Sequence, residues 1–407
     1  MIYQAYQAYA DLSAPFLGAA RVFSDIFTRP WPGPLSGMVS GRVTAAAEIL
    51  ARTGLTHKRP SFDIEEVRIG EESVKVTEEV ALTTPFCTLL HFRKDIAANQ
   101  PRILIVAPLS GHFATLLRGT VLTMLQDHDV YITDWHNVRD VSVLAGRFDL
   151  DNFIDHVIRF FDFLGPDSHV MAVCQPTVGT LAACAVMAEE GNPNLPSSIT
   201  LMAGPMDTRI NPTEVNLLAT RKPLEWFEQS FIGVVPMRYK GGMRRVYPGF
   251  MQISAFMCMN LDRHTNSFFD LYKHIVNADL DQANPIRSFY EEYFALMDLP
   301  AEFYLQTVLT VFQEHRLAQG TFEYRGRTVN PAAIRKSALF TVEGERDDIC
   351  APGQTRAAHD ICPGIPVARK RHHVQAGAGH YGVFNGKRWD QEIYPQVRDF
   401  IKASCSR

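Results

Sequence analysis

The feature that most constrains this chain is an alternation of short apolar runs with helical stretches that begins near residue 102. The runs before the first break are RILIVAP, DVYITDW, HVMAVC and SITLMAG. Strands that alternate with helices predict a parallel sheet covered by helices on both faces. The alternation stops near residue 208 and resumes with SALFTVEGE (337–345), the helical TRAAHDIC, the strand-like ARKRHHVQ and a helical closing segment. We therefore expect one α/β core that is built from two separated parts of the chain.

Further elements precede this core. The chain is helical in pattern to about residue 54, and FDIEEVRIG, ESVKVTEEVALTT and TLLHFRK then alternate as antiparallel strands that lead into the sheet. The opening segment is amphipathic, because Tyr3, Tyr6, Tyr9 and Leu12 recur at helical spacing. Such a segment packs either on its own core or on another surface, and packing on its own core is the preferred expectation.

The interruption between residues 208 and 330 is mainly helical in pattern and rich in aromatic residues and methionine. An insertion at this point of the chain would lie over the carboxyl ends of the strands, where open α/β sheets bind ligands. Most of these rings must form a small core of their own, since large exposed apolar patches are uncommon. We divide the chain into a first part of the core (1–207), a helical cap (208–330) and the remainder of the core (331–407).

Composition excludes several classes of function. A net charge of −4 and a sequence pI near 6.4 give no general attraction for nucleic acid. The seven cysteines are odd in number and contain no CxxC pair, which argues against a disulfide framework or a zinc site. No run of about 18 apolar residues and no leader pattern is present, so we expect a soluble, cytoplasmic protein without a membrane span. No phosphate-binding motif appears either, and we expect no cofactor and no metal.

A cysteine stands where the strand HVMAV gives way to the helical TVGTLAACAVMAEE. The letters around it, Ala172 to Pro176, approximate the nucleophile elbow of α/β-hydrolases, in which small neighbours allow a tight strand-to-helix turn. Proline replaces the usual second glycine, but proline is tolerated at the start of a helix. The positive end of the helix dipole favours a thiolate at Cys174. The alternative is a buried structural cysteine.

A nucleophile needs a base, and the base needs an acid to orient it. Asp347 and Asp348 follow the strand FTVEG, and His380 lies in the glycine-bounded loop AGAGHYG. The chain order nucleophile, acid, histidine is thereby satisfied. We prefer Asp347 as the acid, with Asp348 as the fallback, and a surface turn is the alternative for both.

The oxyanion that forms during acyl transfer needs backbone N–H donors. Gln175, directly after the elbow, is expected to supply one donor, and Leu109 or Ser110 in the loop APLSGHFATLLRGT is expected to supply the other. His112 in the same loop is a candidate for substrate binding. The alternative for His112 is a structural residue at the start of a helix, satisfied by nearby backbone groups.

Five stretches of the chain carry a family resemblance: VCQPTVGTLAACAVMA, APLSGHFATLLRGT, VYITDWHNVRD, TVEGERDDI and GAGHYGVFNGKRW. In their order, and over nearly the whole chain, they are similar to the intracellular poly(3-hydroxybutyrate) depolymerases of polyester-storing bacteria. This resemblance implies an α/β-hydrolase fold and hydrolysis of amorphous storage granules through a thioester. It places the nucleophile, acid and base on Cys174, Asp347 and His380.

Three alternatives stay open. A polyhydroxyalkanoate synthase or related acyltransferase uses the same residue types, although Pro176 departs from its usual elbow. In a second alternative the thiol of coenzyme A, instead of water, accepts the acyl group, so that the polymer is cleaved by thiolysis. A non-catalytic granule-binding protein is the third alternative. The expected partner is the poly(3-hydroxybutyrate) granule surface, and a homodimer is compatible with the sequence.

Overall fold

The computed structural model describes residues 2–28, 41–52, 54–96, 99–259 and 261–405. The strands are β1 (Glu66–Ile69), β2 (Glu72–Thr83), β3 (Cys87–Lys94), β4 (Arg102–Val106), β5 (Asp129–Trp135), β6 (His169–Val173), β7 (Ser198–Met202), β8 (Gly233–Val234), β9 (Arg245–Tyr247), β10 (Leu299–Pro300), β11 (Glu323–Tyr324), β12 (Arg327–Thr328), β13 (Ala338–Gly344) and β14 (Lys370–Gln375). The α-helices are α1 (Ile2–Thr28), α2 (Gly41–Arg52), α3 (Arg118–Met124), α4 (Leu150–Leu164), α5 (Thr177–Glu189), α6 (Glu214–Arg221), α7 (Leu224–Phe231), α8 (Gly249–Met259), α9 (Leu261–Val276), α10 (Leu280–Tyr293), α11 (Ala301–Thr307), α12 (Arg316–Gln319), α13 (Ala358–Ile361), α14 (Gly386–Arg388) and α15 (Tyr394–Ser404).

Nine strands form one sheet in the order β1-β2-β3-β5-β4-β6-β7-β13-β14. The strands β1, β2 and β3 pair antiparallel, β3 pairs antiparallel with β5, and all later neighbours are parallel. The antiparallel entry and the parallel continuation are both as predicted, except that β1 begins at Glu66 rather than near residue 62. A mostly parallel sheet with helices on both faces confirms the predicted α/β-hydrolase class.

The parallel strands are apolar throughout because both of their faces are buried. In β4, Leu104 and Val106 belong to the core on the α4 and α5 side. Ile103 and Ile105 belong to the core on the α3 and α15 side. Successive side chains of a strand point to opposite faces, so a continuous apolar run fills both cores at once.

Helix α4 illustrates how local sequence sets the bounds of the surrounding helices. Its first turn is closed by a capping box, in which Asp149 Oδ1 accepts from Asn152 N at 3.0 Å and Asn152 Oδ1 accepts from Asp149 N at 3.1 Å. The helix ends at Gly165, whose φ of +77° is readily adopted by glycine. Its buried face contributes aromatic side chains to the sheet core.

The segment between β7 and β13 contains α6 to α12 and two small antiparallel sheets, β8-β9-β10 and β11-β12. It is therefore mainly helical, as predicted, with short hairpins in addition. Its strand-like stretch after α10 contacts the loop that follows β4, because Met297 N donates to Gly111 O at 2.8 Å. The domain bounds at 208 and 330 stay a prediction.

The N-terminal helices pack on this inserted segment. Tyr6 stacks on Phe250 with ring centroids 3.9 Å apart, and Tyr3 meets the same ring edge-on at 5.8 Å. Tyr9 and Leu12, in contrast, are 70% and 74% exposed. Two of the four amphipathic positions thus pack as expected and two do not. Residues 29–40 of the predicted helical region lie outside the described residues.

Candidate active site

The chain turns sharply at Cys174, directly after β6 and three residues before α5. Cys174 has φ = +66°, a left-handed conformation that costs a residue with a side chain about 1–3 kcal/mol. Its backbone N–H donates to Met202 O of the neighbouring β7 at 2.8 Å, and its carbonyl accepts from Thr177 N at 3.2 Å. Strain held in place by such bonds is typical of functional positions. The side chain of Cys174 is partly exposed, unlike a cysteine buried in a core.

Small residues beside the turn allow this close approach. A methyl group added at Gly204, just past β7, would lie 2.0 Å from Thr177 Oγ1 in the first turn of α5. Pro176 occupies the N-cap position of α5 with φ = −70°, and its carbonyl accepts from Thr180 N at 2.8 Å. The proline that departs from the usual elbow therefore fits without loss of a helical hydrogen bond.

The candidate acid and the candidate base meet at the ends of the last two strands of the nine-stranded sheet. His380 Nδ1 is 2.8 Å from Asp347 Oδ2, and both residues are buried. The other oxygen, Asp347 Oδ1, accepts from the backbone N–H groups of Ile349 at 2.9 Å and Cys350 at 2.8 Å. These two donors fix the carboxylate so that Oδ2 faces the imidazole. Asp348, the fallback acid, has an exposed side chain.

His380 also lies close enough to Cys174 for the two side chains to affect each other's electrostatics. Burial alone would lower the pKa of His380. The charge of the Asp347 carboxylate, the neighbouring Cys174 side chain and the hydrogen bond to Asp347 outweigh burial and raise the pKa of His380 well above its usual range. The surroundings therefore stabilise the protonated imidazole that forms when His380 takes a proton. The structure thus brings Cys174, His380 and Asp347 together in the order that the sequence predicts.

The loop after β4 carries the two other candidate oxyanion residues. Leu109 is buried and Ser110 is partly exposed, and Gly111 follows with φ = +103°. A methyl group added at Gly111 would lie 2.3 Å from Oε1 of Gln252 on α8. Glycine is thus required at this position by its conformation and by the close approach of α8.

Sequence reasoning missed Gln252. Among the described residues, the buried Oε1 atoms of Gln252 and Gln175 have no hydrogen-bond partner. Gln252 lies in the apolar run GFMQISAFM. A single polar side chain in such a run is a signal that could have drawn attention to it, because buried polar groups are normally hydrogen-bonded.

His112 lies against the inserted segment. Its Nε2 is 3.2 Å from Tyr293 O, its ring centroid is 5.3 Å from that of Tyr293, and its backbone bridges to Leu296. Burial lowers the pKa of His112 to about 4, so the imidazole is neutral near pH 7. This placement favours the structural alternative, and a substrate-binding role stays a prediction.

The described residues also bear on metal binding and on membrane insertion. Within these residues, no group of three histidine, cysteine or acidic side chains is placed to hold a metal ion. No helix in the described ranges combines the length and the apolar character that crossing a membrane requires.

The sequence is similar to those of proteins that are named for storage polyesters. Residues 203–405 match the family described as PHB de-polymerase C-terminus. This range contains Asp347 and His380 and begins after Cys174. A poly(3-hydroxyalkanoate) polymerase subunit of Haloferax mediterranei is 23% identical over 379 residues, which cover 88% of this chain and 69% of that protein. The two descriptions differ in the direction of the reaction.

Solved structures are similar at low identity. A thermophilic esterase from Thermogutta terrifontis is 12% identical with a TM-score of 0.42, covering 84% of this chain and 99% of that one. A 2-hydroxy-6-oxo-6-phenylhexa-2,4-dienoate hydrolase from Rhodococcus sp. strain RHA1 is 13% identical with a TM-score of 0.43, covering 81% and 99%. The mostly parallel sheet with helices on both faces gives this chain an α/β-hydrolase fold, and its sequence is similar to those of the two poly(3-hydroxyalkanoate) proteins above.

Proposed function

We propose that this chain is a thiol-dependent acyl-transfer enzyme that acts on poly(3-hydroxyalkanoate) esters through a thioester at Cys174. In this proposal His380 is the general base and Asp347 is the acid that orients it. The observation that carries the proposal is the strained elbow at Cys174 beside an imidazole whose other nitrogen contacts a buried carboxylate.

The first half of the reaction forms the thioester. His380 takes the thiol proton of Cys174, and the thiolate attacks an ester carbonyl of the substrate. Backbone N–H groups of Gln175 and of Leu109 or Ser110 are the proposed donors to the oxyanion. The tetrahedral intermediate collapses with release of the hydroxyl end, which takes its proton from His380. A 3-hydroxyacyl group then remains on sulfur.

The second half transfers this acyl group to an acceptor. His380 takes a proton from the acceptor, which attacks the thioester carbonyl, and the thiolate leaves as the intermediate collapses. Water as acceptor gives free 3-hydroxyacid, coenzyme A thiol gives a new thioester, and the hydroxyl end of a polymer gives a longer chain. The acceptor alone therefore separates a depolymerase from a synthase.

Hydrolysis of poly(3-hydroxybutyrate) is one direction. It is supported by the description of the family that residues 203–405 match, a range that includes the proposed acid and base. The resemblance of the elbow, in which Pro176 follows Cys174 and Gln175, supports the same direction. This direction implies association with storage granules in the cytoplasm.

Polymer synthesis is the second candidate. It is supported by the polymerase subunit of Haloferax mediterranei, which is similar over 88% of this chain and therefore includes more of it than the family match. In that direction a 3-hydroxyacyl coenzyme A thioester would load Cys174. The proposed chemistry at sulfur is the same in both directions.

The nucleophile is tested by comparing wild type with Cys174→Ala on amorphous poly(3-hydroxybutyrate). We expect wild type to release 3-hydroxybutyrate and the variant to release none above background. Equal release from both would refute the thioester mechanism. If neither protein releases product or transfers acyl groups, the non-catalytic granule-binding alternative gains support.

The direction is tested by varying donor and acceptor with wild-type protein. Polymer with water alone should yield free 3-hydroxybutyrate if the chain is a depolymerase. Polymer with coenzyme A should yield 3-hydroxybutyryl coenzyme A if thiolysis is the natural reaction. The coenzyme A thioester offered alone should yield polymer and free coenzyme A if the chain is a synthase.

A further inference from the structure

One side of α1 (Ile2–Thr28) is apolar and open to solvent. Tyr9, Leu12 and Phe16 are 70%, 74% and 75% exposed, and Ile2 is 43% exposed. Residues spaced by three and four positions lie on one side of a helix, so these side chains form a continuous row. Exposed apolar rows of this size mark interaction surfaces rather than ordinary solvent-facing helices.

The opposite side of α1 already has its partners. Tyr3 is fully buried, contacts the ring of Phe250 and donates a hydrogen bond to the Asp298 carboxylate. Tyr6 stacks on the same Phe250 ring and pairs with His57 at 3.1 Å. The outward row is therefore not the face with which α1 packs on its own core.

A neighbouring loop binds α1 through residues on another side of the helix. Arg238 forms two contacts of 2.8 Å with the carboxylate of Asp11, and the Tyr239 hydroxyl donates to Gln7 at 2.8 Å. We call the four residues Ile2, Tyr9, Leu12 and Phe16 the α1 face.

The charge of α1 indicates which kind of surface the α1 face binds. Residues 2–20 contain one charged side chain, Asp11, and it is paired with Arg238. Helices that bind anionic lipid surfaces carry lysine and arginine on their polar side, and this stretch has none. An uncharged apolar surface is therefore a better match for the α1 face than an anionic bilayer.

The α1 face is connected to the candidate active site through one helix. Phe250 of α8 receives Tyr3 and Tyr6, and two residues later Gln252 lies against Gly111, next to Ser110 of the proposed oxyanion loop. A polymer surface bound to the α1 face would consequently lie near the inserted segment that contains α8.

We propose that the α1 face docks on the surface of an amorphous aliphatic polyester. This inference rests on the proposed function, because an insoluble polymer can be reached only by an enzyme that adsorbs to it. Methyl and methylene groups of the polymer would cover Leu12 and Phe16. Its ester oxygens accept hydrogen bonds, which the exposed Tyr9 hydroxyl can donate.

The test compares three proteins that all carry Cys174→Ala, so that binding is measured without turnover. These are the parent, the double variant Leu12→Ser with Phe16→Ser, and the control Val367→Ser. Val367 is 85% exposed and precedes β14, away from α1. Each protein is cosedimented with protein-free amorphous poly(3-hydroxybutyrate) particles, and thermal melting checks that the fold is retained.

We expect the double variant to bind the particles about tenfold or more weakly, since a buried side chain of this size contributes roughly a factor of ten or more. The control should bind within about twofold of the parent. Equal binding by all three would overturn the docking proposal and leave the chemistry at Cys174 unaffected. Conversely, absent catalysis with intact, face-dependent binding would refute the proposed function alone.

Two further arms separate the other occupants. Vesicles of phosphatidylcholine and phosphatidylglycerol should bind the parent and the double variant equally weakly. Light scattering after size-exclusion chromatography should give one mass for parent and double variant. Face-dependent binding to the vesicles, or a dimer that the double variant abolishes, would overturn the polyester assignment in favour of a membrane or a second copy.

Discussion

Replacement of Asp347 by asparagine is expected to remove most of the activity while leaving the site geometry nearly unchanged. In the wild type, Oδ1 accepts from the N–H groups of Ile349 and Cys350, while Oδ2 faces His380 Nδ1 at 2.8 Å. The backbone donors will hold the asparagine oxygen in the Oδ1 position, because the reverse orientation would leave two buried N–H groups unpaired at about 1–3 kcal/mol each. The amide NH2 must then face the imidazole.

This orientation inverts the histidine tautomer. A donor that faces Nδ1 requires Nδ1 to accept, so the proton moves to Nε2 and the imidazole can no longer take the proton of Cys174. The loss of the carboxylate charge also removes a cause of the raised pKa of His380. We expect kcat on a soluble 3-hydroxybutyrate ester to fall by about 10⁴, the loss found when the aspartate of a serine-protease triad becomes asparagine.

The matched control is Asp348→Asn, at the exposed neighbouring carboxylate, which should stay within about twofold of wild type. Both variants are assayed on the same ester, with thermal melting to verify the fold. Turnover at the wild-type rate by Asp347→Asn, or a large loss of activity in Asp348→Asn alone, would show that Asp347 is not the acid that orients His380.

Three further predictions concern stability. The free energy of unfolding of Cys174→Gly should exceed that of Cys174→Ala by about 1 kcal/mol in urea titrations, because glycine adopts φ = +66° without strain. Equal stability would argue against the strained elbow. Gly111→Ala should destabilise the fold more than Gly191→Ala, because both positions have positive φ but only at Gly111 would the added methyl group lie 2.3 Å from Gln252 Oε1. Urea unfolding of the two variants checks this, and equal losses would mean that Gln252 moves aside freely. Because the pKa of His380 is raised in the fold, its protonated form stabilises the protein, fully below pH about 6.5 and progressively less as pH rises through the folded-state pKa. The stability gap between wild type and His380→Gln should therefore narrow from pH 6 to alkaline pH in urea titrations, and a gap that widens would contradict the sign of this shift.

Much of the core could be predicted because its elements carry strong local signals. Runs such as RILIV are apolar at every position since both faces of β4 are buried, and this requirement is visible without coordinates. The proposed nucleophile, acid and base could be brought to one region from the sequence because each follows the end of a strand, and the carboxyl ends of parallel strands meet at one edge of a sheet.

Features set by tertiary contact could not be predicted in this way. The choice between Asp347 and Asp348 depends on which side chain two backbone N–H groups fix toward His380, and adjacent letters carry no such information. The position of Gln252 against Gly111 depends on how α8 crosses the loop after β4. The division of α1 into a buried side at Tyr3 and an open side at Phe16 likewise depends on where Phe250 lies.

The central claim is tested most directly by trapping the acyl group on sulfur. Wild-type protein is mixed with a soluble 3-hydroxybutyrate oligomer ester, quenched rapidly with acid and digested for mass spectrometry. The peptide containing Cys174 should gain the mass of one 3-hydroxybutyryl unit or a short oligomer, and hydroxylamine should remove it. An adduct on any other residue, or turnover with an unmodified Cys174 peptide at every quench time, would contradict the account.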